Sequence, residues 1–445
     1  MTDSTGYTTK KRSLVVALTV ALFLAAMETT IITLATPTIT RELAGFELMS
    51  LMFSSYLLTS AITTPIFGRL ADTFGRKRML ITGTAIFLAG SVLCGLSTSM
   101  LVLIVFRGVQ GIGAGAIFTL CYTIVGDAFE LKIRGAILGI MSSVWGIAGL
   151  AGPLLGGFLI DSLSWHWVFY IAVPFGVVSI ILLQLSLKEP HVVRPPKRGR
   201  TDRSGLFTRI TVLVNIVALF TCPSLVGIDI YATLYLQSVL GLSPTMSGLA
   251  ILPMSISWFL ASYYIGKILV RFNAKLVVIG AGLLQLVCGI FLIALNETSS
   301  LLFAIFAIFL SGFGLGGLLG STTIIIQESV GYSKRGTAMG INSFVKSIGQ
   351  AVGVTALGVA LNMQLAAFFT QRGLSEMDFS SLLQGGNVVS DSGAVTEISS
   401  ELIASALDTG IDFLFWMMLV CTVVLTLVAL FMPRVQLGHG TLDEQ

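Results

Sequence analysis

Charge is scarce in this sequence. Only 11% of its 445 residues are Asp, Glu, Lys or Arg, against about a quarter in an ordinary soluble domain, so a water-exposed globule is excluded. Histidine occurs three times. There is no HExxH, GxSxG or Walker loop and no pair of catalytic carboxylates in a soluble domain, so an enzyme is the least favoured class and no cofactor is required. The five cysteines (Cys94, Cys121, Cys222, Cys288 and Cys421) all fall inside apolar runs, at spacings that suit neither a disulfide framework nor a metal site.

What the chain has instead is long apolar runs. Twelve of them reach the twenty or so residues needed to cross roughly 30 Å of hydrocarbon. They lie at about 14–36, 49–69, 79–96, 100–126, 135–160, 166–187, 208–240, 245–270, 275–295, 300–327, 337–367 and 410–432. Each is expected to be a helix, because backbone polar groups in lipid must be satisfied within the segment. The first run is too long for a cleaved leader and is read as span 1. With the N-terminus inside, 22 of the 26 bases fall on the cytosolic side, Arg41 and Arg372 fall outside, and Arg107 and Lys346 lie within spans. That bias places both termini in the cytosol of a multi-pass protein of the cell membrane. The net charge of +4 therefore reflects topology and gives no reason to expect a nucleic-acid partner.

The stretch 189–207, EPHVVRPPKRGRTDRSGLF, is polar, basic and proline-bearing, and it divides six spans from six. The expected domains are residues 1–188, a linker over 189–207, and residues 208–445. The halves echo one another: RGAILGIMSSVWGIAGLAG begins at Arg134 and RGTAMGINSFVKSIGQAVG at Arg335. Internal repeats of this kind build alternating-access carriers, with substrate near the midplane. Residues 371–409 carry six acids against Arg372 and read as a solvated external loop, with a short surface helix expected over 396–407.

Acids and bases inside spans are costly and usually mark a pathway or relay. Glu28, in AAMETTIITLATPTI, lies fourteen residues beyond Leu14, about 20 Å along span 1 at 1.5 Å per residue. Ala21, Leu24, Ala25, Ile31, Ile32 and Ala35 share its side of the helix, a smooth wall for an apolar guest. A lone carboxyl in hydrocarbon favours its neutral form, and an arriving cation favours release of the proton. Arg107, in FRGVQGIGAGAI of span 4, falls at a similar depth, and Gln110 lies one turn away. Whether Glu28 and Arg107 touch is not readable at this level. Asp229 in span 7 is a third candidate for proton coupling, facing either a cavity or the outer rim. Lys346 in span 11 is expected to be a structural partner. Met27, Glu28, Tyr56, Gln110, Trp145, Asp229, Tyr231 and Trp258 are the candidate cavity residues.

Two strings carry a family resemblance. GRLADTFGRKR at 68–78, between spans 2 and 3, places a turn glycine, an aspartate able to cap a helix N-terminus, and three bases on the cytosolic side. It resembles the signature loop of the major facilitator superfamily, which implies a conformational latch at Gly68, Asp72, Gly75 and Arg76, with Arg134 nearby. The worn copy GKILVRFNAK at 266–275 lacks the aspartate. Span 5, GIMSSVWGIAGLAGPLLGGFLI, lines Gly139, Gly149, Gly152, Pro153, Gly156 and Gly157 along the helix. Small residues allow close helix approach and the proline can kink it. AGPLLGG resembles the antiporter motif of drug exporters, with Ala148 where that motif has a glycine. METTIITLATPTI, WHWVFYIAVPFG and YLQSVLGLSPTMSGLAILP resemble the drug:proton antiporter-2 branch, which more often has aspartate where Glu28 stands and fourteen spans where this chain has twelve.

The resemblance implies an all-α membrane protein of twelve helices in two six-helix bundles. It implies a monomer exporting lipophilic, often cationic drugs in exchange for protons. The rivals are a proton symporter importing a nutrient, which would need more polar cavity residues, and a non-transporting membrane sensor, which would need an attached soluble domain.

Overall fold

The computed structural model describes residues 8–9, 11–129, 131–188, 207–296, 299–330, 335–372, 387–389, 395–397 and 400–434. Among the described residues, eleven helices are long and apolar enough to cross a membrane. The spans run Lys11–Glu42 (span 1), Met49–Phe74 (2), Arg76–Gly95 (3), Met100–Ala128 (4), Leu131–Ser162 (5) and His166–Ser186 (6). They continue as Arg209–Ser238 (7), Pro244–Arg271 (8), Ala274–Ile293 (9), Leu301–Glu328 (10), Arg335–Thr370 (11) and Ser400–Leu430 (12). Span 5 is the twelfth of these helices, and its apolar stretch Ile147–Ser162 is shorter than the rest.

Local chemistry sets the helix starts. Ser99, Thr208 and Ser300 each accept a hydrogen bond from a backbone N–H three residues on, and Asn273 Oδ1 accepts from Lys275 N at 2.9 Å. These are the short polar side chains that satisfy otherwise orphaned donors at an N-terminus. Within the spans, many threonines and serines turn their hydroxyls back to the preceding turn, as Thr36 does to Ile32 O at 2.8 Å, which meets their hydrogen-bonding need within the helix. Span 2 stops at Gly75, whose φ of 95° is open to glycine and strained for other residues. Its N–H bonds Ala71 O at 3.1 Å, and span 3 begins at the next residue. Gly75 is thus the turn in the GRLADTFGRKR string. Gly68 meets only Thr119 Cγ2, at an ordinary 3.7 Å for an added Cβ.

The chain divides into two compact units, Met1–Thr201 with Gly241–Leu249 and Glu376–Ile398, and the remainder. The first residues of span 8 therefore group with the first unit. In that unit, span 4 packs between spans 2 and 3 around Phe87, Ile117, Leu120 and Ile124, and span 1 closes the core with Leu14, Leu18 and Leu22. The end of span 6 is tied down twice. Thr8–Thr9 pairs antiparallel with Leu187–Lys188, and Lys77 Nζ donates to Gln184 O at 2.9 Å and to Leu187 O. The second unit has its own core of Val214, Val217, Leu318, Ile325 and Leu425.

The expected short helix at 396–407 is corrected. Val395–Glu397 is a strand paired with Asn387–Val389, and span 12 begins at Ser400 and runs 31 residues unbroken. Its amphipathic opening turns and its apolar body form a single helix because residues 400–410 contain no proline and Gly410 packs against Leu361 and Leu365.

Candidate functional site

Four helices of the first unit bring their polar side chains to one point. Glu28 of span 1 is 2% exposed and Arg107 of span 4 is 1% exposed. They form an ion pair, Arg107 Nη1 donating to Glu28 Oε1 at 3.0 Å. The same Nη1 donates to Gln110 Oε1 at 2.6 Å, one turn along span 4. Gln110 Nε2 donates in turn to Ser91 Oγ of span 3 at 2.6 Å. Span 2 contributes the Met52 carbonyl, 3.5 Å from Arg107 Nε, and the ring of Tyr56, whose centroid lies 4.3 Å from the guanidinium carbon. The Tyr56 hydroxyl is buried without a hydrogen-bond partner among the described residues.

Glycines let the helices come this close. A Cβ on Gly90 of span 3 would lie 2.6 Å from Gln110 Cα, and one on Gly111 of span 4 would lie 2.4 Å from Tyr56 O. The sequence thus places the amide and the ring beside the guanidinium by omitting side chains behind them.

The wall predicted around Glu28 is present, but Ala21, Leu24, Ala25, Ile31, Ile32 and Ala35 are all fully buried in the bundle. Met27 is buried too, and its carbonyl accepts from Thr30 Oγ1 at 2.9 Å. The predicted antiporter helix backs this part of span 1. A Cβ on Gly152 would strike Thr30, one on Gly156 would contact Ile31 and Leu34, and Thr30 Oγ1 donates to Ala148 O at 3.2 Å. Gly149 is half-buried. The side chains of Asp72, Arg134, Trp145 and Pro153, and the surroundings of Gly139, lie outside the described residues. Arg76 Nη1 reaches Thr123 O at 3.4 Å.

Asp229, Tyr231 and Trp258 belong to the second unit. Asp229 is half-buried in a π-helical turn, Ile228–Ala232, where its carbonyl accepts from Thr233 Oγ1 at 2.7 Å and its carboxylate has no partner among the described residues. Such turns recur at functional positions. Tyr231 is buried with a hydroxyl that has no partner among the described residues, and Trp258 packs its backbone against Gly312 and Gly316. Lys346 donates to Thr323 Oγ1 at 2.7 Å and reaches Leu319 O at 3.5 Å, so its partner is span 10. Two contributors escaped the sequence reading: Ser91, whose signal was its place beside Gly90 in span 3, and the Met52 carbonyl, which carries no sequence signal.

A buried acid–base pair inside a bundle of apolar spans, in a chain whose halves repeat the string begun at Arg134 and at Arg335, defines the class: a polytopic membrane carrier. A family model, the Major Facilitator Superfamily, matches residues 18–354. The chain belongs to that family, whose members are transporters rather than enzymes. It is 31% identical over 407 residues to the multidrug efflux pump SdrM of Staphylococcus aureus (strain N315), covering 80% of this chain and 90% of the pump. It is 28% identical over 433 residues to the multidrug transporter protein MdtP of Bacillus subtilis (strain 168), covering 84% and 79%. In fold it is similar to a bacterial homolog of the human lysosomal transporter Spinster, with a TM-score of 0.71 at 18% identity over 94% of this chain and 96% of that one. A D-xylose–proton symporter gives 0.70 at 15% identity, covering 95% and 98%.

Proposed function

We propose that this protein exports lipophilic, often cationic drugs or dyes across the cytoplasmic membrane in exchange for protons, by alternating access, as a monomer with both termini in the cytosol. The charge bias along the sequence supports the orientation, and the similarity to named multidrug pumps supports the cargo class. The observation that carries the coupling is the buried pair of Glu28 and Arg107.

Three cations compete for one carboxylate: the Arg107 guanidinium, a proton and the cargo. With Glu28 ionised, Arg107 pairs with it. Protonation removes the Coulomb attraction, while Arg107 keeps Gln110 Oε1, the Met52 carbonyl and the Tyr56 face. A lipophilic cation needs a counter-charge and an aromatic face, and Glu28 with Tyr56 supplies both once Arg107 yields. Proton and drug then exclude one another at Glu28, which is coupling by linkage. Exchange of one proton for one monovalent cation moves no net charge and draws about 1.4 kcal/mol per unit of pH difference. A second proton at Asp229 would add roughly 2.3 kcal/mol per 100 mV. No cofactor takes part, and the proton is the coupling ion.

The test is transport of a panel of lipophilic dyes by the purified chain in proteoliposomes under an imposed pH gradient, with Glu28→Gln alongside. Gradient-driven dye movement that the variant lacks is expected. Dye movement that ignores the gradient would refute the coupling.

A further inference from the structure

The sequence assigned a helix-capping latch to Asp72. The structure shows such a contact at the opposite end of the first unit, made by a residue that the motif reading passed over. Asp161 lies one turn beyond Gly157 at the end of span 5, at the end of the unit where Trp165 Nε1 donates to Glu42 Oε2 at 2.7 Å. Its Oδ2 accepts from Thr245 N at 3.1 Å and from Thr245 Oγ1. Thr245 is the second residue of span 8. Its N–H is among the donors that a helix start leaves without an internal partner. Proline at 244 removes one of these donors, and Ser243 serves another, its Oγ accepting from Met246 N at 3.3 Å, while its carbonyl accepts the first regular bond of the helix from Ser247 N at 2.9 Å. The Thr245 N–H is thus met from another helix, by a carboxylate at the positive end of the span 8 dipole.

Sequence prepares this contact on both sides. A Cβ on Gly157 would lie 2.5 Å from Thr245 Cα and 3.1 Å from Pro244 O, both backbone atoms with no side chain to swing aside. Glycine at 157 is what lets span 8 start against span 5. Gly241, with φ of 67°, turns the chain into span 8. Gly157 and Asp161 are four residues apart and so share a face of span 5.

We propose that Asp161 is a positioning residue of the transport cycle, an outer-face latch that holds the start of span 8 on the end of span 5 and must release before the carrier opens outward. The word outer rests on the orientation and the alternating-access reading above. The latch extends the antiporter-like AGPLLGG string by one turn, so that its last glycine makes the approach and the aspartate fastens it. Both Asp161 and Met246 are exposed, so substitution there leaves the core intact.

The test is a distance distribution between spin labels on Leu163→Cys and Met246→Cys in the full chain, purified in lipid nanodiscs without drug. The parent should show mainly the short separation. Asp161→Ala should raise the ratio of long to short separations about tenfold, the scale of losing hydrogen bonds to a charged acceptor. Asp161→Asn should do so less, Thr245→Val should act in the same direction, and Asp161→Glu should restore part of the short population. Distributions that Asp161→Ala and Thr245→Val leave unchanged would overturn the latch. Because distances are read without cargo or a pH gradient, a shifted distribution in a protein that exports no dye would retain the latch and refute the export reading.

Discussion

Neutralising one partner of the buried pair should cost more than neutralising both. In Glu28→Gln the amide keeps an acceptor near Arg107 but removes the counter-charge at 3.0 Å. The direct attraction at that distance is about 5 kcal/mol at an effective dielectric near 20, and unpairing a buried charge typically costs about 3–5 kcal/mol. Gln110 Oε1 at 2.6 Å, the Met52 carbonyl and the Tyr56 ring remain as partners, which puts the expected loss near the lower figure, about 3 kcal/mol. Arg107→Met leaves a carboxyl that can take up a proton, and should cost about 2 kcal/mol. The double variant buries no charge at all and should lie within about 1 kcal/mol of the parent. The coupling energy of the cycle is then about 4 kcal/mol. Unfolding titrations of the four proteins in mixed micelles measure it, and proteoliposome assays read transport in parallel. The double variant should regain stability and stay inactive. Additive losses, or dye export by the double variant at the parent rate, would refute the reasoning.

Other substitutions probe the neighbours of the pair. Tyr56→Phe removes a buried hydroxyl that has no partner among the described residues while keeping the ring under Arg107, so the unfolding free energy should hold or rise, whereas Tyr56→Ala should lower it by about 3–5 kcal/mol. Gly90→Ala drives a methyl to 2.6 Å from Gln110 Cα. It should cost about 1–3 kcal/mol and slow export at constant expression, and unchanged transport would show that the Gln110 position is not needed. Asp72→Asn should slow turnover in dye-exchange assays without altering which dyes are carried, and a changed dye spectrum at normal turnover would contradict a latch there.

The spans were legible because each has to satisfy its own backbone in lipid, and length and hydropathy are direct readouts of that demand. Glu28, Arg107 and Gln110 stood out for the same reason, as polar groups with no business in hydrocarbon unless paired. That they meet was not legible. Their contact depends on which faces of spans 1 and 4 oppose each other, which the period of a single helix does not give, and the close packing of the helices around them rests on Gly90, Gly111 and Gly152, whose effect lies in side chains they do not have. Periodicity placed Glu28 on an apolar wall, but period alone does not distinguish a face lining a cavity from one packed in a bundle, and here the wall is packed. Span 12 shows the same weakness at its start: a polar stretch at 396–407 reads as a separate surface helix when counted by hydropathy, yet from Ser400 the backbone simply continues. Asp161 was passed over because an aspartate just beyond an apolar run reads as ordinary loop chemistry until its partner, 84 residues on, is in view.

The central claim is that drug and proton exclude one another at Glu28, and the most direct measurement is proton release on binding. A lipophilic phosphonium cation is added to the purified protein in weakly buffered detergent and the pH is followed. With the starting pH set low enough that Glu28 holds its proton before the cation is added, the account predicts close to one proton released for each cation bound by the parent protein, as mutual exclusion at one carboxyl requires, less as the starting pH rises and Glu28 is already ionised and paired with Arg107, and none from Glu28→Gln. Binding without proton release by the parent, or equal release by both proteins, would contradict it.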